Sequence, residues 1–263
     1  MVATAKLRRA KAAIEQARPY ADTMARVLGS LASRTEHSHP LLERRVGEGG
    51  RWLVVITSDK GMCGSFNANL LREASKILKG DDWQGTEVVA IGRKASDFFR
   101  RRSWAVAQEE RETMSRLTAA DGARLGQMFT QAFTSGQVDE GWLLYNRFVS
   151  IMRQKITLER LLPVETPAVE DRPDEPQVDY LYEPDAATLL DELLPRHVEA
   201  QVQRSLYDSA AAEQAARMTS MDAATKNAGD MIDSLTLLYN RTRQAGITKE
   251  LLEIVSGAQA LEQ

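Results

Sequence analysis

Cysteine is almost missing from this chain: Cys63 is the only one among 263 residues. A lone cysteine excludes an internal disulfide and a cysteine-rich zinc site, and it fits a reducing compartment. Histidine is nearly as scarce. His37 and His39 flank Ser38, and His197 stands far away in sequence; a loop pair without a third nearby ligand reads as polar surface, not as a metal centre. No apolar run approaches the ~20 residues of a membrane span, and the basic start lacks a signal peptide's apolar stretch, so a soluble chain is expected. Excess charge is also small. A net charge of −3 with a pI near 5.8 argues against a dedicated nucleic-acid binder. The one basic and aromatic cluster, Arg100, Arg101 and Arg102 beside Phe98, Phe99 and Trp104, then reads as a solvated helix end.

A nucleotide fingerprint is absent as well. The stretch "TSDKGMCGSFNANLL", 57–71, follows an apolar strand and precedes a helix. It has neither G-x-G-x-x-G nor G-x-x-x-x-G-K-[ST], whose backbone N–H groups close around a phosphate. Gly61 and Gly64 are expected to let the chain turn sharply, with Ser65 or Asn67 capping the helix. Cys63 has no base near it in sequence and reads as a small buried apolar residue of the turn, not a nucleophile.

What is present is organised in segments. Charge is uneven: residues 1–34 carry seven Lys/Arg against two acids, whereas 165–191 carry one Arg against nine acids. Such asymmetry suggests surfaces made for different neighbours. Leu7, Ala10, Ile14, Ala17, Ala21, Met24, Leu28 and Leu31 recur at spacings of three and four, a coiled-coil seam over 1–35 whose alanines imply a close partner helix. Pro19 inside it predicts a kink. Residues 50–163 read as an α/β layer. "RWLVVIT" and "TEVVAIG" are buried strands around the helix "NANLLREASKILKG", and "GWLLYNRFVS" with "QKITLERLLPV" makes an antiparallel pair. Helices are expected at "RKASDFFRRR" and at "TAADGARLGQMFTQAFTSG", the latter opened by Thr118 with Asp121 three residues on. Residues 164–184 are an acidic, proline-rich connector. Residues 185–263 are helix formers, with a second seam at Met218, Met221, Thr225, Ala228, Ile232, Leu235, Tyr239 and Thr242. A helix from Arg196 to Ser256 would run ~90 Å. The first seam covers only about half of it as an antiparallel partner, so something outside the chain is expected to cover the rest.

The C-terminal run "EQAARMTSMDAATKNAGDMIDSLTLLYNRTRQAGITKELLEIVSGAQAL", 213–261, resembles the signature of the gamma subunit of the F-type ATP synthase. "MVATAKLRRA", "SDKGMCGSFN" and "DYLYEPD" are similar to the same family in the same order, so the resemblance spans essentially the whole chain. It implies a long antiparallel coiled coil of the terminal helices, held in a ring of catalytic and non-catalytic subunits. With it goes a central Rossmann-like α/β domain at the foot that binds no dinucleotide. The implied role is a central rotary shaft without catalysis or cofactor of its own, coupling proton or sodium flow to ATP synthesis and hydrolysis. Implied partners are the alpha, beta and epsilon subunits and the membrane c-ring, at the cytoplasmic face of a bacterial inner membrane, with the mitochondrial inner membrane as second choice.

By the same resemblance, Met1, Arg217, Arg243, Gln244, Thr248 and Glu250 contact a catalytic subunit, and Tyr180, Tyr182, Glu183 and Asp185 meet the membrane ring. Members of the family carry about seven further turns of basic helix ahead of the residue matching Met1, so the chain is expected to start inside that helix. The long loop with a cysteine pair that marks light-regulated chloroplast members is missing, and redox control of that kind is not expected. Two other readings compete: a Rossmann-like nucleotide-binding enzyme with a helical oligomerisation arm, and a structural coiled-coil adaptor. The first requires a fingerprint or a polar cleft that the sequence does not display.

Overall fold

Two strands that read as unbroken apolar runs, β1 (Gly50–Ile56) and β2 (Glu87–Ile91), lie side by side and parallel at the middle of a five-stranded sheet. Both are buried on both faces, which is why neither alternates polar with apolar. The computed structural model describes residues 2–34, 39–45, 49–165 and 185–261. Its element order is α1 (Val2–Arg34), β1, α2 (Phe66–Leu78), β2, α3 (Arg93–Arg101), β3 (Val106–Glu110), α4 (Ala119–Thr134), β4 (Val138–Ser150), β5 (Arg153–Leu162) and α5 (Ala186–Leu261). The sheet order is β3-β2-β1-β4-β5, parallel except for the antiparallel β4–β5 hairpin.

Alternation along the central strands sends side chains to two cores. Leu53, Val55, Val88, Ala90 and Leu144 pack with Leu70 and Ala74 of α2 and Phe99 of α3. Trp52, Val54, Ile56, Val89 and Ile91 face the other way, into a cluster with Leu125, Phe129 and Phe133 of α4. That second cluster also takes in Met24, Leu28 and Leu31 of α1 and Leu190, Leu194, Val198, Val202 and Leu206 of α5. Farther along, Leu7 and Ile14 cluster with Ala211 and Ala215. As numbers fall along α1 they rise along α5, so the two helices are antiparallel. The first seam therefore does pack on the C-terminal helix, and it also packs on the sheet domain.

The chain divides into two compact units, Met1–Thr219 and Ser220–Gln263. The first holds the sheet, α1 and the beginning of α5. In the second, the described residues to Leu261 are uninterrupted helix.

Local readings are met in some places and corrected in others. β3 escapes the sequence pattern because "VAQEE" is an edge strand without a fully buried residue, whose half-buried acids are paired, Glu109 to Arg100 and Arg111, and Glu110 to Arg124. The backbone of α1 stays helical through Pro19 without a break, and α5 contains Pro195. The connector's first residue, Val164, is buried, and its N–H bonds the carbonyl of Leu41. At α4 the expected opening is present: the Asp121 carboxylate accepts from both the N–H and the hydroxyl of Thr118, each at 2.8 Å. At α2 neither candidate caps the helix. Ser65 makes no side-chain cap bond, and Asn67 turns back to the strand end.

Candidate functional site

In an open parallel sheet, the crevice for a ligand lies beyond the carboxyl ends of the strands where the chain's winding reverses. Here that point is between β1 and β4, next to the turn Thr57–Ser65. The turn is built from its own polar side chains. Asn67 Oδ1 accepts from the Ser58 N–H at 3.0 Å, and Asn67 Nδ2 donates to Ser58 Oγ at 2.7 Å and to Cys63 Sγ at 3.2 Å. Cys63 is buried. The left-handed positions are Met62 (φ 59°) and Gly64 (φ 57°), so Gly61 is not the residue that needs the freedom of glycine.

Asp59, buried beside this turn, was not singled out by any sequence pattern. Its Oδ1 accepts the N–H of Arg93 at 3.0 Å and of Glu112 at 3.1 Å, and its Oδ2 accepts the N–H of Ser115 at 2.7 Å. One carboxylate thereby ties the start of α3 and the loop before α4 to the end of β1. Nearby, Gly92 has a φ of 90°, and a Cβ there would stand 2.3 Å from the carbonyl oxygen of Thr57, so only glycine fits between β2 and α3.

The crevice is filled by the protein itself. Ser209 of α5 donates to the carbonyl of Ile56, the last residue of β1, at 3.4 Å, and Ala212 packs with Cys63 and Phe66. One turn on, Arg217 Nη2 donates to Glu213 Oε1 at 2.7 Å and to the carbonyls of Gly61 and Lys60 at 3.2 and 3.4 Å. Glu213 is buried, and burial pushes its carboxyl above the ordinary glutamate range, against the pull of Arg217. Burial likewise raises the Tyr145 phenol, which donates to Glu159 Oε2 at 2.9 Å, and lowers His197. The place where such a sheet takes a nucleotide is occupied by α5.

The expected contact residues fall into different settings. Arg243, Gln244, Thr248 and Glu250 are all exposed in the unit Ser220–Gln263, as are Met231, Ile232, Leu235, Leu238, Tyr239 and Leu252. Apolar exposure on this scale marks a surface made for another chain. Arg217 lies in the other unit, engaged as described. Asp185 sits at the head of α5, its carboxylate accepting from the N–H and hydroxyl of Thr188 at 2.9 and 2.8 Å. That is the geometry of an N-cap. Met1, Tyr180, Tyr182 and Glu183 lie outside the described residues, as does His37. His39 accepts from the Leu41 N–H through Nδ1, and its Nε2 is 3.8 Å from Asp191. Among the described residues, no three metal-ligating side chains gather and no helix is long and apolar enough to cross a membrane. The arginine cluster ends α3, with Arg100 on Glu109 and Arg102 over the Phe98 ring at 3.8 Å.

A family model described as ATP synthase matches residues 1–261. The chain is 44% identical over 265 residues to an ATP synthase gamma chain of Geotalea daltonii, covering all of this chain and 91% of that one. It is 45% identical over 268 residues to the gamma chain of an Anaeromyxobacter species, with the same coverage. Among solved structures it resembles a chain from the central stalk and c-ring of the Tetrahymena thermophila mitochondrial ATP synthase. There the TM-score is 0.62 at 22% identity, over 86% of this chain and 96% of that one. A chain of the Euglena gracilis mitochondrial enzyme gives a TM-score of 0.62 at 16% identity, over 98% of this chain and 95% of that one.

Proposed function

Because this chain belongs to the gamma-chain family of the ATP synthase, we propose that it works as the central rotary shaft of that complex and that its chemistry is contact. The observation that carries this reading is the pairing of a filled crevice with an uncovered helix: α5 closes the sheet's ligand position through Ser209 and Ala212, while Ile232, Leu235 and Tyr239 stay exposed. A chain arranged in this way has a surface for partner subunits where an enzyme would have a pocket.

In this reading the segment Ser220–Leu261 lies against the alpha and beta subunits, with Arg243, Gln244, Thr248 and Glu250, together with Met1, meeting a catalytic subunit, while Arg217 is engaged within the chain. The guanidinium of Arg243 can fork onto a carboxylate-bearing loop. Tyr180, Tyr182, Glu183 and Asp185 meet the membrane c-ring, and the epsilon subunit completes the rotor at the cytoplasmic face of a bacterial inner membrane. The work is done by inequality. Each orientation of the shaft contacts open and closed catalytic sites differently, and only differential contact shifts their populations. Ion flow that turns the shaft thus becomes release of product from one site at a time.

The test is reconstitution. The chain, combined with alpha and beta subunits and with membrane sectors from a bacterial relative lacking its own gamma chain, should restore ATP-driven ion uptake into vesicles. Uptake no greater than without the chain would exclude the shaft role.

A further inference from the structure

We propose that Arg217 is a positioning residue of the rotor: a clasp that locks the turn Thr57–Ser65 onto the stretch of α5 before Ser220, so that the sheet domain and that stretch of helix turn as one body. The inference rests on the shaft reading above and adds to it the residue that resists slippage within the shaft.

The geometry is specific. One guanidinium reaches a carboxylate on its own helix, Glu213, and two consecutive carbonyls of the turn, those of Lys60 and Gly61. The side chains of Arg217 and Glu213 are only 17% and 7% exposed. All three contacts are made by Nη2: one of its hydrogens goes to the buried carboxylate, which holds the guanidinium in place, and the other is shared between the two carbonyls, strengthened by the guanidinium's own charge. The turn it grips is itself rigid, tied by Asn67 to Ser58 and, through Asp59, to α3 and the loop before α4. A pull on Arg217 is therefore passed to the whole sheet domain.

A torque along a helix makes it roll against its neighbours, and beyond Leu206, the last large α5 side chain in the sheet core, the apolar contacts are poor at preventing that. Ala211, Ala212 and Ala215 present single methyl groups, which slide with little loss of contact. Directional, charge-assisted bonds do not slide. A second grip lies earlier on α5, where the Gly122 N–H bonds Gln203 Oε1 at 2.8 Å and Gly126 lets α4 approach the Glu199 backbone. Glu199 and Arg217 are separated by about five helical turns, so both grips fall on one face of α5, roughly 27 Å apart. Two separated grips on one face oppose both rolling and pivoting.

The experiment uses the assembled complex in inverted membrane vesicles, measuring ATP hydrolysis and ATP-driven ion uptake on the same preparation. In Arg217→Ala, ions transported per ATP should fall at least threefold. Arg217→Lys, which keeps a charge beside Glu213 on a side chain one atom shorter and so holds the carbonyls less closely, should fall between Arg217→Ala and the wild type. Amide hydrogen exchange on the variant chain should quicken at residues 60–65 and stay unchanged in β1 and β2. An unchanged ion-to-ATP ratio in Arg217→Ala overturns the clasp; if that variant does not assemble, an unchanged ratio in Arg217→Lys does so. A wild-type chain that fails to support uptake at all overturns the shaft reading instead.

Discussion

Gly126 of α4 stands so close to Glu199 of α5 that a Cβ built on the glycine would lie 2.6 Å from the Glu199 Cα. Backbone cannot swing aside as a side chain can, so Gly126→Ala must push the helices apart or bend one of them. Overpacking of this kind costs about 1–3 kcal/mol. At Gly122 the same methyl would stand 2.5 Å from the Gln203 Cβ, which is fixed to the main chain of α5, and would also displace the amide that accepts the Gly122 N–H. Urea unfolding should therefore show a loss of about 1–3 kcal/mol for each of Gly122→Ala and Gly126→Ala. Wild-type stability in both variants would mean that α4 does not rest on the α5 backbone.

Asp59→Asn should be damaging although it changes one atom. The carboxylate serves three backbone N–H groups through both oxygens. An amide must turn its NH2 toward at least one of those donors, leaving that donor unsatisfied in a buried site at about 1–3 kcal/mol. The expected outcome is a loss of about that size in denaturant unfolding, with faster exchange of the Ser115 amide or of the Arg93 and Glu112 amides. Wild-type stability in the variant would show that the three bonds are not cooperating.

These two residues also mark where sequence reading stops. β1 and β2 were legible because strands buried on both faces have no choice but to be apolar. The seam of α1 was legible because Leu7, Ile14, Met24, Leu28 and Leu31 must recur with the helix, and all five are buried. β3 was not legible, since an edge strand carrying "VAQEE" has too little buried surface to pattern. Asp59 escaped notice because its partners lie 34, 53 and 56 residues away, and Glu213 because burial is decided by the tertiary fold. Arg217 was legible as a member of a family motif, but its grip on the turn was not, because two of its acceptors are main-chain carbonyls, which every sequence has.

His197 makes stability depend on pH. Burial holds its imidazole below the ordinary value of 6.5, with the charge of Glu159 acting in the opposite direction. Above that ordinary value, both folded and unfolded chains carry the neutral ring. As pH falls through it, only the unfolded chain takes up the proton, so stability is lost on the acid side. The slope from one group is at most about 1.4 kcal/mol per pH unit. Thermal unfolding followed from pH 7.5 to 5.5 should show the loss in the wild type and a shallower one in His197→Gln. Identical slopes would remove His197 from the account.

The last expectation concerns the uncovered helix. Ile232 and Leu235 are exposed in the unit Ser220–Gln263, at 63% and 57%. If partner subunits bury them, each contributes about 1.5–3 kcal/mol to assembly. Replacing both with serine should then weaken association with the alpha and beta subunits by about a hundredfold or more. The helix itself should survive, because neither residue is buried in the isolated chain. Circular dichroism of the double variant should therefore match the wild type within a few per cent while its binding fails. Loss of helicity together with binding would show that the stripe holds the helix in shape, whereas full binding by the double variant would show that the catalytic head grips the shaft through its polar residues, with Arg243 and Gln244 the first to replace.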